Sequence, residues 1–343
     1  MFTWIASADG NVAAYSAYIF QPLQLLRTSI TRYIPFCIGD VIYVGWVLSM
    51  IYTIIVWLYF LLTLSRNYQR FGISFVKFVT NVCLLCLFFM IGWGGNYYKQ
   101  PLKEVWKLDE NEIAADDSSL IRFDKFLITK MNTYIGGYKD YSFKRMERLS
   151  WQQYKQYTDC YNDASGLKVK HTLFGNMMQY IGVQGYFNPF TGEAQVNRNL
   201  PDFMLPFVIS HEMAHQAGIA AEDDANLVAY ALCVKSGDST FRYSAYFNLW
   251  LYTHSRLKMR DSVLANEMKA TVNPVSLAHL DTLRAQRIKY RSIYSRYGAN
   301  MYDQYLKLNN QEDGIESYQK ASLSAWIWEQ QNAAAPQERL HLP

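Results

Sequence analysis

Two uncharged runs constrain this chain more than anything else in it. Val41 to Ser65 gives 25 consecutive residues without Asp, Glu, Lys or Arg, and Phe78 to Tyr98 gives 21 more. A helix rises about 1.5 Å per residue, so either run can cover a hydrocarbon core of about 30 Å. Buried core helices are the competing explanation. Two such runs in tandem, separated by a short stretch with Arg66, Arg70 and Lys77, read better as a transmembrane hairpin. Trp46, Trp57, Tyr59, Trp93, Tyr97 and Tyr98 are candidates for aromatic belts at its interfaces. Asn81, Gly92, Gly94, Gly95 and Asn96 dilute the second run. Cys83 and Cys86 form a CxxC there without a third ligand, and read as small packing residues.

The flanks differ in character. Residues 12–34 set Tyr15, Tyr18, Ile19, Leu23 and Ile30 beside Arg27 and Arg32, as an amphipathic helix lying on a bilayer surface does. Met1 to Ser7 has neither the charged start nor the cleavage site of a secretory signal. From Lys99 onward the chain is polar enough for an ordinary globular domain. The organisation expected is therefore a segment 1–36, two spans within 37–99, and a domain over 100–335. A net charge of +4 is too slight for a nucleic-acid binder, and 16% aromatic residues exclude disorder. Five cysteines, odd in number and partly inside a span, exclude a disulfide scaffold.

Within the domain, helical spacing over 103–165 gives way to a turn at Asp163–Gly166 and a β-like stretch over 167–197. Gly185 to Asn197 reads as a hairpin turning at Thr191-Gly192. Helical signals return after Pro206, with Asn273-Pro274 starting a helix toward Gly298 and a last helix near 313–333; Ala333 to Pro343 reads as a frayed tail. The fold class is mainly α, a transmembrane helical hairpin followed by an α-rich domain with a small β-hairpin.

The chemistry is carried by Ser210-His-Glu-Met-Ala-His-Gln-Ala-Gly218. His211 and His215 stand four apart, one helical turn from each other on one face, which suits two ligands of a tetrahedral zinc. Glu212 lies beside them, placed to take a proton from an attacking water rather than to bind metal. Gly218 is a suitable residue to end the helix. A catalytic zinc needs a third protein ligand. Glu222 opens the next helix seven residues past His215 and is the leading candidate, with Asp223 and Asp224 as competitors, since acids in a first turn are favoured anyway. Asn226, one turn beyond Glu222, is placed to hydrogen-bond a ligating histidine. For oxyanion stabilisation the candidates are Tyr243, Arg242 and His254, with Tyr243 preferred. Lone His171, His279 and His341 read as surface or core residues.

HExxH followed by Glu-x-x-Ala-Asn at the head of a second helix resembles the gluzincin type of zinc peptidase. The whole chain is similar to a bacterial membrane family, domain of unknown function 3810. The matching segments are Pro35–Asp40, Trp93–Tyr98, Pro189–Ala194, the motif itself, Phe241–Ser244, and Tyr305–Lys307 with Gln311–Tyr318. The resemblance implies a zincin-like domain, zinc as cofactor, and a multi-pass bacterial membrane protein. It also implies a further N-terminal span, of which Met1 to Ser7 would be the remnant.

Orientation is contested. Arg66, Arg70 and Lys77 stand against Arg27, Arg32, Lys99, Lys103 and Lys107, a raw count that favours a cytoplasmic domain. The family's basic loop between spans implies the reverse, an extracytoplasmic domain, and that orientation is adopted.

Three readings compete. A membrane-anchored zinc metallopeptidase with a peptide or protein substrate uses every feature of the motif, and the hairpin offers an edge for strand addition. Intramembrane proteolysis would need the motif inside a long apolar span, yet Glu222-Asp-Asp follows it closely. A zinc-binding membrane protein with a structural or sensing role would not need Glu212 and would recruit a fourth protein ligand, for which Cys233 and His254 are candidates.

Overall fold

A computed structural model describes residues 9–108, 117–159, 166–291, 304, 317–334 and 338–343. Met1–Ser7, Cys160, the Asp163–Ser165 part of the expected turn, the stretch leading to Gly298, and Tyr305–Lys307 with Gln311–Glu316 lie outside the described residues. The described residues are mainly helical, with one small sheet among them.

Helix α1 (Asp9–Tyr15) runs through a π-helical turn, Ser16–Phe20, into α2 (Gln21–Thr31). Two long helices follow, α3 (Ile38–Leu62) and α4 (Leu64–Gly92). Both are long and apolar enough to cross a membrane; their apolar windows have a mean hydropathy of 2.1 and are 0% and 6% buried within the protein. They pack antiparallel, with the Trp57 indole N–H donating to Ser74 Oγ at 2.9 Å and its ring lying against Phe71, Phe75 and Phe78.

Two expectations need correction here. The polar stretch with Arg66, Arg70 and Lys77 is not a loop, because α4 begins at Leu64 and only Thr63 separates the helices. No proline interrupts that stretch, and polar residues at a helix end remain in contact with water or headgroups, so nothing breaks the helix. The second apolar run, conversely, does not stay helical to Tyr98. It ends at Gly92, and Gly94–Tyr98 form a tight 3₁₀ turn. A Cβ at Gly95 would fall 2.4 Å from the Tyr15 ring, so this glycine lets the turn lie flat on α1. Trp93 is accordingly 3% exposed and faces protein, not lipid.

The domain comprises α5 (Asp117–Tyr134), α6 (Phe143–Tyr157), β1 (Val169–His171), α7 (Gly175–Ile181), β2 (Gly185–Asn188), β3 (Glu193–Val196), α8 (Leu205–Gln216), α9 (Glu222–Lys235), α10 (Ser239–Arg260), α11 (Ser262–Lys269), α12 (Pro274–Lys289) and α13 (Ser317–Ala334). Asn273 caps α12 as expected, accepting from the Val275 amide at 2.9 Å. The described end of the tail, 338–343, is not frayed, since Leu340 is buried and bridges Thr158.

The hairpin forms where the sequence places it, with β2 antiparallel to β3 and Gly192 at φ +69° in the turn. Strand β1 adds to the other side of β3 in parallel, giving the order β1-β3-β2. Alternation along the strands sends Val169, Ala194 and Val196 into the main core beneath α8. The opposite face carries Lys170, Tyr186 and Glu193, and the start of α3 is built into it. Glu193 accepts from the Gly39 amide at 2.8 Å, the Ile38 amide at 3.2 Å and Lys170 Nζ at 2.6 Å. Asp40 accepts from the Leu173 amide at 2.7 Å, from Thr172 Oγ1 at 3.1 Å and from the Tyr186 hydroxyl. Cys37 at the head of α3 offers its helix no side-chain cap, so Glu193 satisfies the amides that a helix start leaves open.

Candidate metal centre

Helix α8 carries the HExxH motif and is buried along its whole length, Leu205 to Gln216. A helix that is apolar on nearly every side can rest only inside a core, and α8 is enclosed by α6, α9, α10 and the sheet. It ends in a Schellman arrangement. Gly218 takes φ +95°, its amide donates to the His215 carbonyl at 2.9 Å, and the Ile219 amide donates to the Ala214 carbonyl at 3.0 Å. That turn delivers the Ile219 carbonyl to His215 Nδ1, 2.7 Å away.

Helix α9 then starts at Glu222, and its first side chain closes a three-residue cluster with the two histidines. His211 Nε2 and His215 Nε2 are 3.1 Å apart; Glu222 Oε2 is 3.3 Å from the first and Oε1 is 3.4 Å from the second. Ligand atoms bound to zinc at about 2.0–2.1 Å in a tetrahedron lie about 3.3–3.4 Å from one another. Two imidazole nitrogens with one carboxylate oxygen near each fit zinc in donor type and in approximate spacing. Among the described residues no fourth His, Cys, Asp or Glu joins the group. Cys233 Sγ is occupied with Ser210 Oγ and the Pro206 carbonyl, and His254 with Asp124.

The electrostatics reflect three ionisable groups packed together out of water. Burial opposes a charged Glu222, but the two imidazoles outweigh it and hold the carboxyl well below the usual range. Burial also opposes a charged His215, yet Glu222 pushes its imidazole up to about 9, while burial pushes His211 down. Burial, with Glu222 nearby, pushes the Glu212 carboxyl up to about 8. Glu212 Oε2 is buried without a hydrogen-bond partner. Its other oxygen lies under Gly185, where a Cβ would come within 2.5 Å of it.

The remaining acids separate cleanly. Asp224 turns away and accepts from the Leu102 amide at 3.1 Å, and Asp223 is outside the cluster. Asn226 lies beside His211, where its side chain favours the protonated ring; neither His211 Nδ1 nor Asn226 Nδ2 has a hydrogen-bond partner.

A family model described as a protein of unknown function (DUF3810) matches residues 15–323. The chain belongs to the DUF3810 family. No curated protein and no solved structure matches it.

In this DUF3810 chain the hydroxyl of the candidate Tyr243 is engaged with partners outside the cluster. Tyr243 is buried, donates to Ser276 Oγ at 3.2 Å and pairs with His279 Nδ1 at 2.8 Å. Arg242 is likewise engaged with the Val234 carbonyl and the Tyr134 hydroxyl. The reason is helical phase. Tyr252 lies nine residues further along α10, about 180° round the helix from Tyr243. Burial raises its phenol to about 12, with the negative Glu222 adding to the shift, which places it in the field of the cluster. Two other neighbours escaped sequence reasoning. Gly185 looked like a hairpin start, and Trp93 looked like a membrane belt, yet its ring meets His215 edge-on at 6.3 Å.

Proposed function

We propose that this chain is a membrane-anchored zinc metallopeptidase of gluzincin type, with α3 and α4 as its spans and a zincin-like domain outside the cytoplasm. The observation that carries the reading is a division of labour among buried acids. Glu222 is tied to both histidines, while Glu212, one residue from His211, keeps an unpartnered oxygen.

His211, His215 and Glu222 would hold the metal. Zinc there supplies a Lewis acid that polarises the scissile carbonyl and lowers the pKa of water toward about 7. Glu212 accepts the proton of the attacking water and returns it to the leaving amine. A carboxyl raised by burial suits this exchange, since a base poised near neutrality both takes and gives. Strand β2 is the terminal strand of the sheet, and Gly185 on it adjoins Glu212. An extended peptide adding to that edge runs past the carboxylate, which occupies the space a Cβ at Gly185 would take. Tyr252 is the phenol proposed to donate to the developing oxyanion. A purely structural zinc leaves the orphaned Glu212 oxygen without purpose.

The test uses the full chain purified in a bilayer mimic and loaded with zinc. Chelator-sensitive cleavage of an unfolded protein substrate, restored by added zinc and absent in Glu212→Gln, is expected. Zinc binding without any such cleavage would overturn the peptidase reading.

A further inference from the structure

Helix α2 is inside out. Its buried side chains are Gln24, Thr28 and Thr31, at 1%, 6% and 7% exposure, whereas Leu26 and Ile30 stand 59% and 58% exposed. A water-facing helix is built the other way. The polar inner face is not idle. Gln24 Nε2 donates to the Gly192 carbonyl at 2.9 Å, in the hairpin turn, and Gln216 Nε2 of the motif helix donates to the same carbonyl at 3.0 Å. Arg27 reaches both the Pro189 carbonyl and the Gly92 carbonyl at the end of α4. The apolar outer face therefore lies beside the end of an apolar helix whose window is only 6% buried among the described residues.

Both long helices end on strand β2. Tyr186, facing one way, is bonded to Asp40 in the first turn of α3. Phe187, facing the other, packs at 4.4 Å on Trp93, the residue after α4, and Trp93 meets His215. Leu173, whose amide is held by Asp40, is itself 49% exposed. The end of α4 is thus one aromatic ring from a metal-site histidine, and the strand offered to a substrate is clamped between the two helix ends.

We propose that the centre works at the bilayer surface, on extended juxtamembrane segments of membrane-anchored polypeptides. The inference rests on the peptidase reading and adds the class of substrate. Trp93, the residue after α4, meets His215 at 6.3 Å, a gap that about two residues of extended chain cover, and the headgroup layer adds a few more. The covalent step is ordinary amide hydrolysis, in which water adds across the C–N bond to leave a carboxylate and an amine.

Two measurements test it, one independent of turnover. Leu26→Cys and Leu173→Cys, each made with Cys83, Cys86 and Cys160 replaced by serine, carry nitroxides in the full chain reconstituted into vesicles. Strong relaxation by a nickel-chelating lipid, exceeding that by a water-soluble nickel complex, is expected at both. Labels that respond only to the soluble complex would overturn the surface placement, whatever the activity. The second measurement uses a single-span substrate bearing a long unfolded tail, in the same vesicles with the zinc-loaded enzyme. Cuts are expected within about ten residues of the span, and the same tail without its span should be cut at least about tenfold more slowly. Cuts spread evenly along the tail, at equal rates with and without the span, would overturn the inference while leaving the peptidase reading intact. Absence of chelator-sensitive cuts in either substrate would overturn both.

Discussion

The carbonyl oxygen of Ile219 lies 2.7 Å from Nδ1 of His215. A carbonyl can only accept, so Nδ1 carries a proton, and Nε2 is the nitrogen whose lone pair faces the cluster once the ring is neutral. The tautomer that a metal needs is therefore set by the way α8 ends, through the left-handed Gly218.

Gly218→Ala is expected to weaken zinc binding without touching a ligand. At φ +95° a side chain is strained, and its Cβ would fall 2.6 Å from the Phe20 ring. The turn must move, and the Ile219 carbonyl with it. Loss of such an outer hydrogen bond costs about 10–100-fold in metal affinity. Competition with a chromophoric chelator measures this; an unchanged affinity would show that the carbonyl does not orient the ring.

Glu212→Gln and Glu222→Ala should fail in opposite ways. The first keeps one zinc per chain and loses hydrolysis by about 10²–10⁴-fold, because only proton transfer is removed. The second loses metal, as does His211→Ala combined with His215→Ala. Elemental analysis beside a cleavage assay separates the cases. Zinc lost from Glu212→Gln but retained by an active Glu222→Ala would reverse the assigned roles.

Gly185→Ala should damage the site through packing alone. The added methyl would lie 2.5 Å from Glu212 Oε1 and 2.7 Å from the Gln195 carbonyl, and the second is backbone, which cannot swing aside as a side-chain end can. Overpacking of this kind costs about 1–3 kcal/mol. Gly136→Ala is the control, since a Cβ there meets nothing within 4 Å. The expected result is a lowered melting temperature and activity for the first and little change for the second. Equal melting curves and rates for both would refute the close approach of β2 to Glu212.

Stability should fall as acid is added, partly through His171. Its ring lies 3.9 Å from that of Phe143, and Nδ1 is buried without a partner. Burial, aided by Arg198, holds its pKa below the ordinary 6.5. Below about 6.5 the unfolded chain therefore binds more protons than the folded one, and stability is lost as pH falls through that window. His171→Gln should melt with a smaller drop between pH 7 and pH 5 than the parent chain. Identical drops would place the acid sensitivity elsewhere.

What could be read from the sequence was whatever depends on local spacing. The long helices, the hairpin at Thr191-Gly192, the i,i+4 histidines and the Asn273 cap all follow from periodicity or turn chemistry within a dozen residues. The choice of Glu222 over Asp224 also has a spacing logic, though only packing shows Asp224 turned toward Leu102. What was illegible depends on distant partners. Trp93 reads as a belt residue until Phe187 and His215 close over it. Strand β1 falls within the β-like stretch over 167–197, but its parallel pairing with β3 was illegible because α7 and β2 lie between them in the chain. Tyr243 and Tyr252 are indistinguishable by composition, and only the phase of α10 against α9 separates them.

Glu193 closes on the amide of Gly39, 154 positions earlier in the chain. A ribosome adding about 5–20 residues per second makes the later residue roughly 8–30 s after the earlier one. The head of α3 must wait that long for its cap, while the metal ligands, made later still, complete their cluster after both long helices have left the exit tunnel. Translation order thus leaves the cluster of His211, His215 and Glu222 incomplete until both long helices have been made, so its three members are the last of these partners to meet.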